Sequence, residues 1–280
     1  MSTLVSPLFV GLVDDASVLL RGIIDLPASA STFVKHRTSW FAELLGTLLL
    51  PASLIDLEGL PPGLPVGVVN DGALSALPAA VDRLRAAGAA VRQIEAAVAR
   101  RGEDPQPGIV ELRRITAEQD LEVYAEIPLS WGLLAALDTV ADARGTGLRL
   151  GAKFRIGGLA AELFPTPVEL AAVICACRDR ELPFKLAAGL RHALRHTDPE
   201  TGFTHHGFLN VLVAALAAAD GAEVAEVAEV VAATHPLPLV EPARAALERV
   251  RPLCVGYGSA NVLEPLTELI RLGLIDGGYE

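Results

Sequence analysis

The feature that most constrains this chain is an alternation between two kinds of segment. Short, continuously apolar runs recur between longer runs with helical spacing. Phe9-Val-Gly-Leu-Val13 reads as a strand that ends at Asp14-Asp15. Further strands are expected at Pro65–Val69, Val91–Ala96, Leu121–Ile127, Leu148–Phe154, Pro183–Ala188 and Cys254–Gly256. Helices are expected at Ser75–Ala87, Trp131–Ala143, Val168–Arg180 and Val262–Leu272. Thr166-Pro167-Val168-Glu169 has the form of a capping box with proline at the first helical position. Asn261-Val262-Leu263-Glu264 repeats that logic with Asn as the N-cap. Strands that are apolar throughout belong to a parallel sheet covered by helices on its outer face. The expected fold is therefore α/β, a (β/α)8-type, TIM-like barrel. About seven strands are legible, so the barrel is irregular or one strand is unread. An extra helical block near 207–249 replaces or decorates one unit. No Gly/Ser/Pro-rich linker divides the chain, which reads as one domain over 1–280.

Composition narrows the function classes. The chain has 280 residues, 23 Lys+Arg against 34 Asp+Glu, and a formal net charge of −11. That balance argues against a nucleic-acid surface. Mean hydropathy is +0.42 with 51% hydrophobic residues, much of it Ala. The longest uncharged apolar stretches, such as Phe208–Ala219, fall short of the ~18–20 residues that span a bilayer. Met-Ser-Thr-Leu-Val-Ser-Pro lacks a basic region followed by an apolar one, so no signal peptide is expected. Three cysteines, Cys175, Cys177 and Cys254, are an odd number, and Cys175-Ala-Cys177 lies in a helical run. A reduced, cytoplasmic protein without membrane association is the expectation. The three-residue repeat from Glu223 to Val230 reads as a solvated helix.

The chemistry is expected at the C-terminal ends of barrel strands. Only three basic residues are lysines, Lys35, Lys153 and Lys185; the rest are arginines. Lys153 and Lys185 interrupt the apolar runs of two consecutive strands, and Glu126 ends the strand before them. Parallel strands lie about 4.8 Å apart, so two inward ammonium groups at equivalent positions sense each other. Repulsion and desolvation both lower a lysine pKa, and the neutral amine so produced attacks carbonyls to form a Schiff base. Glu126 then acts as acid-base partner or as counter-ion. A second reading stands beside it, in which Lys153 and Lys185 pair with Glu126 and Glu95 in a structural network.

The segment from Leu121 to Arg191 resembles the core of the deoxyribose-phosphate aldolase group of class I aldolases. The likeness is carried by Leu-Glu-Val-Tyr-Ala-Glu126, by Ala-Lys153-Phe-Arg-Ile-Gly157-Gly158, and by Phe-Lys185-Leu-Ala-Ala-Gly189. The resemblance implies Lys153 as the Schiff-base lysine and Lys185 as the lysine that tunes its pKa. It implies Glu95 as the acidic proton shuttle, where the family carries Asp. Gly256-Tyr-Gly-Ser-Ala-Asn261 is similar to that family's final phosphate-binding turn, which puts Gly258 and Ser259 in the anion site. The sequence departs from the family at Phe154, Arg155 and Ile156, where small hydroxyl residues are expected, and in its shortened turn at Ala188-Gly189-Leu190. Over its whole length the chain resembles proteins of high-GC bacteria.

Four of the six histidines lie between His192 and His206. His192 and His196 are spaced to share one face of a helical turn. Arg191, His192, Arg195 and His206 form a candidate anion site, and Asn210 reaches the pocket or braces a neighbour. Metal ligation by His192, His196, His205 and His206, and a plain solvated loop, are the competing readings. Lys35-His36-Arg37-Thr-Ser-Trp40, with Glu43, looks like the opening of a helix. Together these readings give an expected Schiff-base-forming, aldolase-like lyase for a small anionic carbonyl compound, phosphorylated or carboxylated. Lys153, Lys185, Glu126 and Glu95 are its expected catalytic residues. Arg155, Gly157, Gly158, Arg191, His192, Arg195, His206, Asn210, Gly258 and Ser259 hold the anion. No cofactor or metal is expected, and a homo-oligomer is compatible with the sequence. The alternatives are a metal-assisted hydrolase or isomerase using the 192–206 loop, and a non-catalytic barrel that binds an anionic metabolite.

Overall fold

The computed structural model describes residues 5–20 and 26–277. Met1–Leu4, where the absence of a leader is read, lie outside the described residues. Eight parallel strands close a barrel: β1 (Val13–Asp15), β2 (Leu45–Pro51), β3 (Pro65–Val69), β4 (Ala90–Ala97), β5 (Glu122–Glu126), β6 (Leu150–Arg155), β7 (Phe184–Ala187) and, after a two-stranded hairpin of β8 (His196–Thr197) and β9 (Thr204–His205), β10 (Cys254–Ser259). The barrel closes where β1 pairs with both β2 and β10. Helices follow most strands: α1 (Leu26–Arg37), α2 (Leu77–Ala86), α3 (Gln106–Gln119), α4 (Leu133–Gly145), α5 (Pro167–Arg178), then α6 (Phe208–Ala219), α7 (Val224–Ala232) and α8 (Leu237–Ala245), and finally α9 (Leu263–Arg271). The expected TIM-like barrel is present, and among the described residues β2 runs to β3 without an intervening helix.

The unread strand is β2, Leu-Gly-Thr-Leu-Leu-Leu-Pro. A short leucine-rich run has no period that separates a buried strand from a helical turn. The first strand also begins later than expected. Gly11 takes φ 63°, and Leu12 N–H donates to Phe9 O across a turn, so pairing starts only at Val13. Lys35, His36 and Arg37 close α1 instead of opening a helix, and cations there suit the negative end of the helix dipole. The capping box at Thr166 forms: Glu169 N–H donates to Thr166 Oγ1, and Thr166 N–H to the Glu169 carboxylate at 2.7 Å. Asn261 instead makes a local turn, with Leu263 N–H donating to its Oδ1 at 3.1 Å. The block after β7 contains α6, which is apolar on all sides except for Asn210. It needs no polar face because it touches β10 on one side and α5, α7 and α8 on the others.

Glycines open the barrel interior at two places. A Cβ on Gly67 would lie 2.7 Å from Leu49 and 2.9 Å from Gln93. One on Gly151 would lie 3.1 Å from the Tyr124 ring. These small positions let large polar side chains fill the C-terminal half of the barrel. The three cysteines are buried and free. No helix among the described residues is long and apolar enough to cross a membrane.

Candidate active site

Strand register brings the charged residues together. Lys153 on β6 stands beside Lys185 on β7 and beside Glu126 on β5. Glu95, on β4, lies two residues before Ala97, the register partner of Glu126, and so faces the same side of its strand as Ala97. Lys153 is 4% exposed, Lys185 3% and Glu95 2%. Lys153 Nζ donates to Glu95 Oε2 at 2.9 Å and to Glu126 Oε2 at 2.7 Å. Lys185 Nζ donates to Glu95 Oε1 at 2.6 Å and to Asp14 Oδ2. Glu95 therefore bridges the two ammonium groups, one oxygen to each. Arg155 Nε completes the chain with a bond to Glu126 Oε1 at 3.2 Å.

A second layer holds Asp14. Thr47 donates to Asp14 Oδ1 through its backbone N–H at 2.6 Å and through its hydroxyl at 2.9 Å. Gln93 Nε2 reaches Asp14 Oδ2, Thr47 Oγ1 and Glu95 Oε1, all within 3.0–3.2 Å. Lys185 Nζ also lies 5.2 Å above the Tyr124 ring. Asp14, Thr47, Gln93 and Tyr124 were not among the expected site residues. Asp14 carried a usable signal, since it is a charged group at the end of an apolar run, as Lys153 and Lys185 are. Thr47 was hidden with β2.

The electrostatics reverse one expectation. Burial alone lowers both amines, but the facing carboxylates outweigh it. Lys153 is raised by Glu95 and Glu126, and Lys185 is raised by Asp14 and Glu95. Two lysines at neighbouring positions repel only if nothing lies between them, and here the Glu95 carboxylate does. Burial would raise Glu95, yet Lys185 and Lys153 bring it down to about 2. Glu126 is lowered by Lys153 and Arg155 against the same cost of burial. Burial pushes the Tyr124 hydroxyl up to about 12. The site thus sets the side chains of Lys153, Lys185 and Arg155 against those of Asp14, Glu95 and Glu126.

A cleft of about 690 Å³ opens beside this cluster and is lined by Glu126 and Arg155. Leu129, Leu133, Leu134, Leu163, Phe164 and Val173 form much of its wall. It lies between the loops that follow β4, β5 and β6, at the C-terminal face of the barrel.

The remaining expected site residues divide. Gly157 is buried against the Ala188-Gly189 turn, where both residues take positive φ, 63° and 83°. Gly158 faces Leu163. Gly256–Ser259 is strand β10 and not the expected turn, with Gly258 paired to Asp14. The Ser259 hydroxyl is committed to Asn261, donating to its carbonyl at 2.9 Å and accepting from its N–H at 3.3 Å. Asn210 is a brace: its oxygen accepts from Arg195 N–H, and its NH2 donates to Val230, Val231 and Ala233 carbonyls. These partners use the amide fully and tie the loop to α7. Arg191 is exposed. Arg195 is lowered by burial, and its guanidinium has no partner among the described residues.

The histidines of this loop form a ring stack, and not the expected helical turn. His192 meets His196 edge-on at 4.3 Å, His196 stacks on His205 at 5.3 Å, and His205 meets Phe164 at 4.9 Å. His192 Nδ1 lies 2.8 Å from Glu268 Oε1. Buried His206 donates from Nε2 to Pro165 O at 2.7 Å. Among the described residues no group of three His, Cys, Asp or Glu is arranged to hold a metal ion.

Comparison with protein-family models, with curated proteins and with solved structures finds no match to this chain.

Proposed function

We propose that this barrel is a Schiff-base-forming lyase of the aldolase type, acting on a small anionic carbonyl compound. The observation that carries the reading is the Glu95 bridge between two buried lysines on adjacent strands, at the barrel end where such folds do chemistry. The raised amines shape the mechanism. Lys153 rests as an ammonium, so its proton leaves before attack, to Glu126 or to Glu95, both within 2.9 Å. A substrate anion on Arg155 draws that cation away from Glu126 and raises the carboxylate's affinity for a proton. The free amine then adds to the carbonyl carbon. The carbinolamine oxygen takes a proton and leaves as water, which forms the iminium. Glu95, hydrogen-bonded to Lys185, returns or removes the proton at the adjacent carbon as the carbon–carbon bond is broken or made.

A second reading has its own support. Every ammonium and carboxylate in the cluster is already paired, as a non-catalytic, anion-binding barrel also requires. Borohydride reduction in the presence of aldehydes, sugar phosphates and oxo acids, followed by peptide mass mapping, separates the two. An adduct on Lys153, absent in Lys153→Met, is expected. Adduct formation nowhere across those substrates refutes the covalent mechanism and leaves the binding reading.

A further inference from the structure

The cleft beside the ion cluster is shaped for more than a small polar metabolite. Its wall is largely aliphatic, with Phe164 as its aromatic member, and exposed apolar side chains occur on the segments that supply it. Trp131, next to the lining residue Ser130, is 72% exposed. Leu159, in the loop between Arg155 and Glu162, is 98% exposed. Leu134 and Val168, at the starts of α4 and α5, are also exposed. An apolar cleft whose lining includes the exposed Leu134 marks a binding site for apolar matter.

Charge fixes how such a ligand is oriented. Arg155 bonds Glu126 only through Nε, so its two terminal nitrogens have no partner among the described residues. Arg100 also lines the cleft, and its guanidinium likewise lacks a partner there. The acidic lining groups are differently engaged. Glu126 is held by Lys153 and Arg155, and Glu169 by the Thr166 cap. Glu162 is the remaining carboxylate, and it is exposed. Lys153 and Arg155 touch opposite oxygens of Glu126, so the amine and the anion site stand one carboxylate apart. A molecule that meets both has its anion one or two carbons from its carbonyl.

We propose that the cleft binds an oxo acid with an extended apolar chain, its carboxylate on Arg155, its carbonyl toward Lys153 and its chain along Leu129, Leu133, Leu134, Phe164 and Val173. This rests on the Schiff-base reading for the carbonyl's role and replaces a phosphorylated sugar with an amphipathic acid as the substrate class.

The test uses ligands that cannot form an imine. Hexanoate, octanoate and decanoate are titrated calorimetrically into the full-length protein below their micellar concentrations. Binding is expected to tighten with chain length by up to about fourfold per methylene. Arg155→Gln is expected to weaken decanoate at least about tenfold while leaving decan-1-ol unchanged. Leu134→Asp, at an exposed position that does not threaten folding, is expected to weaken both. Absent binding, binding indifferent to chain length, or decanoate affinity unchanged in Arg155→Gln overturns the inference. The two readings fail separately. An adduct on Lys153 with short sugar phosphates but no decanoate binding refutes the substrate class alone. Decanoate binding as described, without any adduct from long-chain oxo acids, refutes the covalent chemistry alone.

Discussion

Replacing Glu95 with glutamine isolates what one buried carboxylate does for two ammonium groups. The side chain keeps its shape but loses its charge, and its NH2 must face either Lys153 or Lys185. One of the two lysines is left short of an acceptor in a site sealed from water. Breaking a buried ion pair in this way costs about 3–5 kcal/mol. An independent route gives a similar figure. Glu95 falls from 4.5 to about 2 on folding, and at 1.36 kcal/mol per pKa unit this is about 3 kcal/mol of stability near neutral pH. For a chain of this size the melting temperature drops by roughly 6–12 °C. The sign with pH follows from the depressed carboxylate. Its contribution is whole above the unfolded value of 4.5 and is lost as pH falls toward about 2. By pH 3 less than half of it remains. Thermal melts of wild type and Glu95→Gln between pH 7 and pH 3 read both quantities. A difference below about 1 kcal/mol at pH 7, or one that grows on acidification, refutes the bridging role assigned to Glu95.

Other residues make separate predictions. Gly46→Ala places a Cβ against Asp14 Oδ1, so Asp14 is pushed off Thr47 and Lys185; melting is expected to show a loss above about 2 kcal/mol, and borohydride labelling a loss of Lys153 adduct. Asn210→Ala strands the Arg195 N–H and the Val231 and Ala233 carbonyls, while Val230 O keeps the Ala233 N–H; a loss of about 2–4 kcal/mol in urea denaturation, with decanoate affinity unchanged, separates a brace from a ligand-binding residue. His206 is held down to about 4, first by burial and then by Arg195 and His205. The unfolded chain therefore takes up this proton first, stability falls as pH drops from about 6.5 to 4, and the total is about 3 kcal/mol. His206→Leu is expected to flatten that slope in pH-dependent melts.

The barrel and its main charges were legible in the sequence for a local reason. A charged residue inside a continuous apolar run has no solvent to face, so Lys153, Lys185 and Glu126 announce an inward polar site whatever surrounds them; Glu95, beside Arg92 and Gln93, was singled out by the family resemblance. The capping box at Thr166 is likewise local, because its four residues carry the whole interaction. Leu45–Pro51 was not legible, since a leucine-rich run of that length carries no period of its own, and Thr47 disappeared with it. Asp14 was visible as a strand end, but its partner is Lys185, far along the chain, and only barrel closure between β1 and β10 brings them together.

The sequence by itself determined that two scarce amines sit at equivalent places on consecutive strands. It did not determine the sign of their interaction. Adjacency of like charges predicts repulsion and lowered amines, while the tertiary structure inserts Glu95 from β4 between them and Asp14 from β1 behind them. Each ammonium then meets two carboxylates in a site dry enough for those charges to outweigh desolvation. Which lysine feels which acid depends on the closed ring of strands, and no segment of the chain contains that information alone.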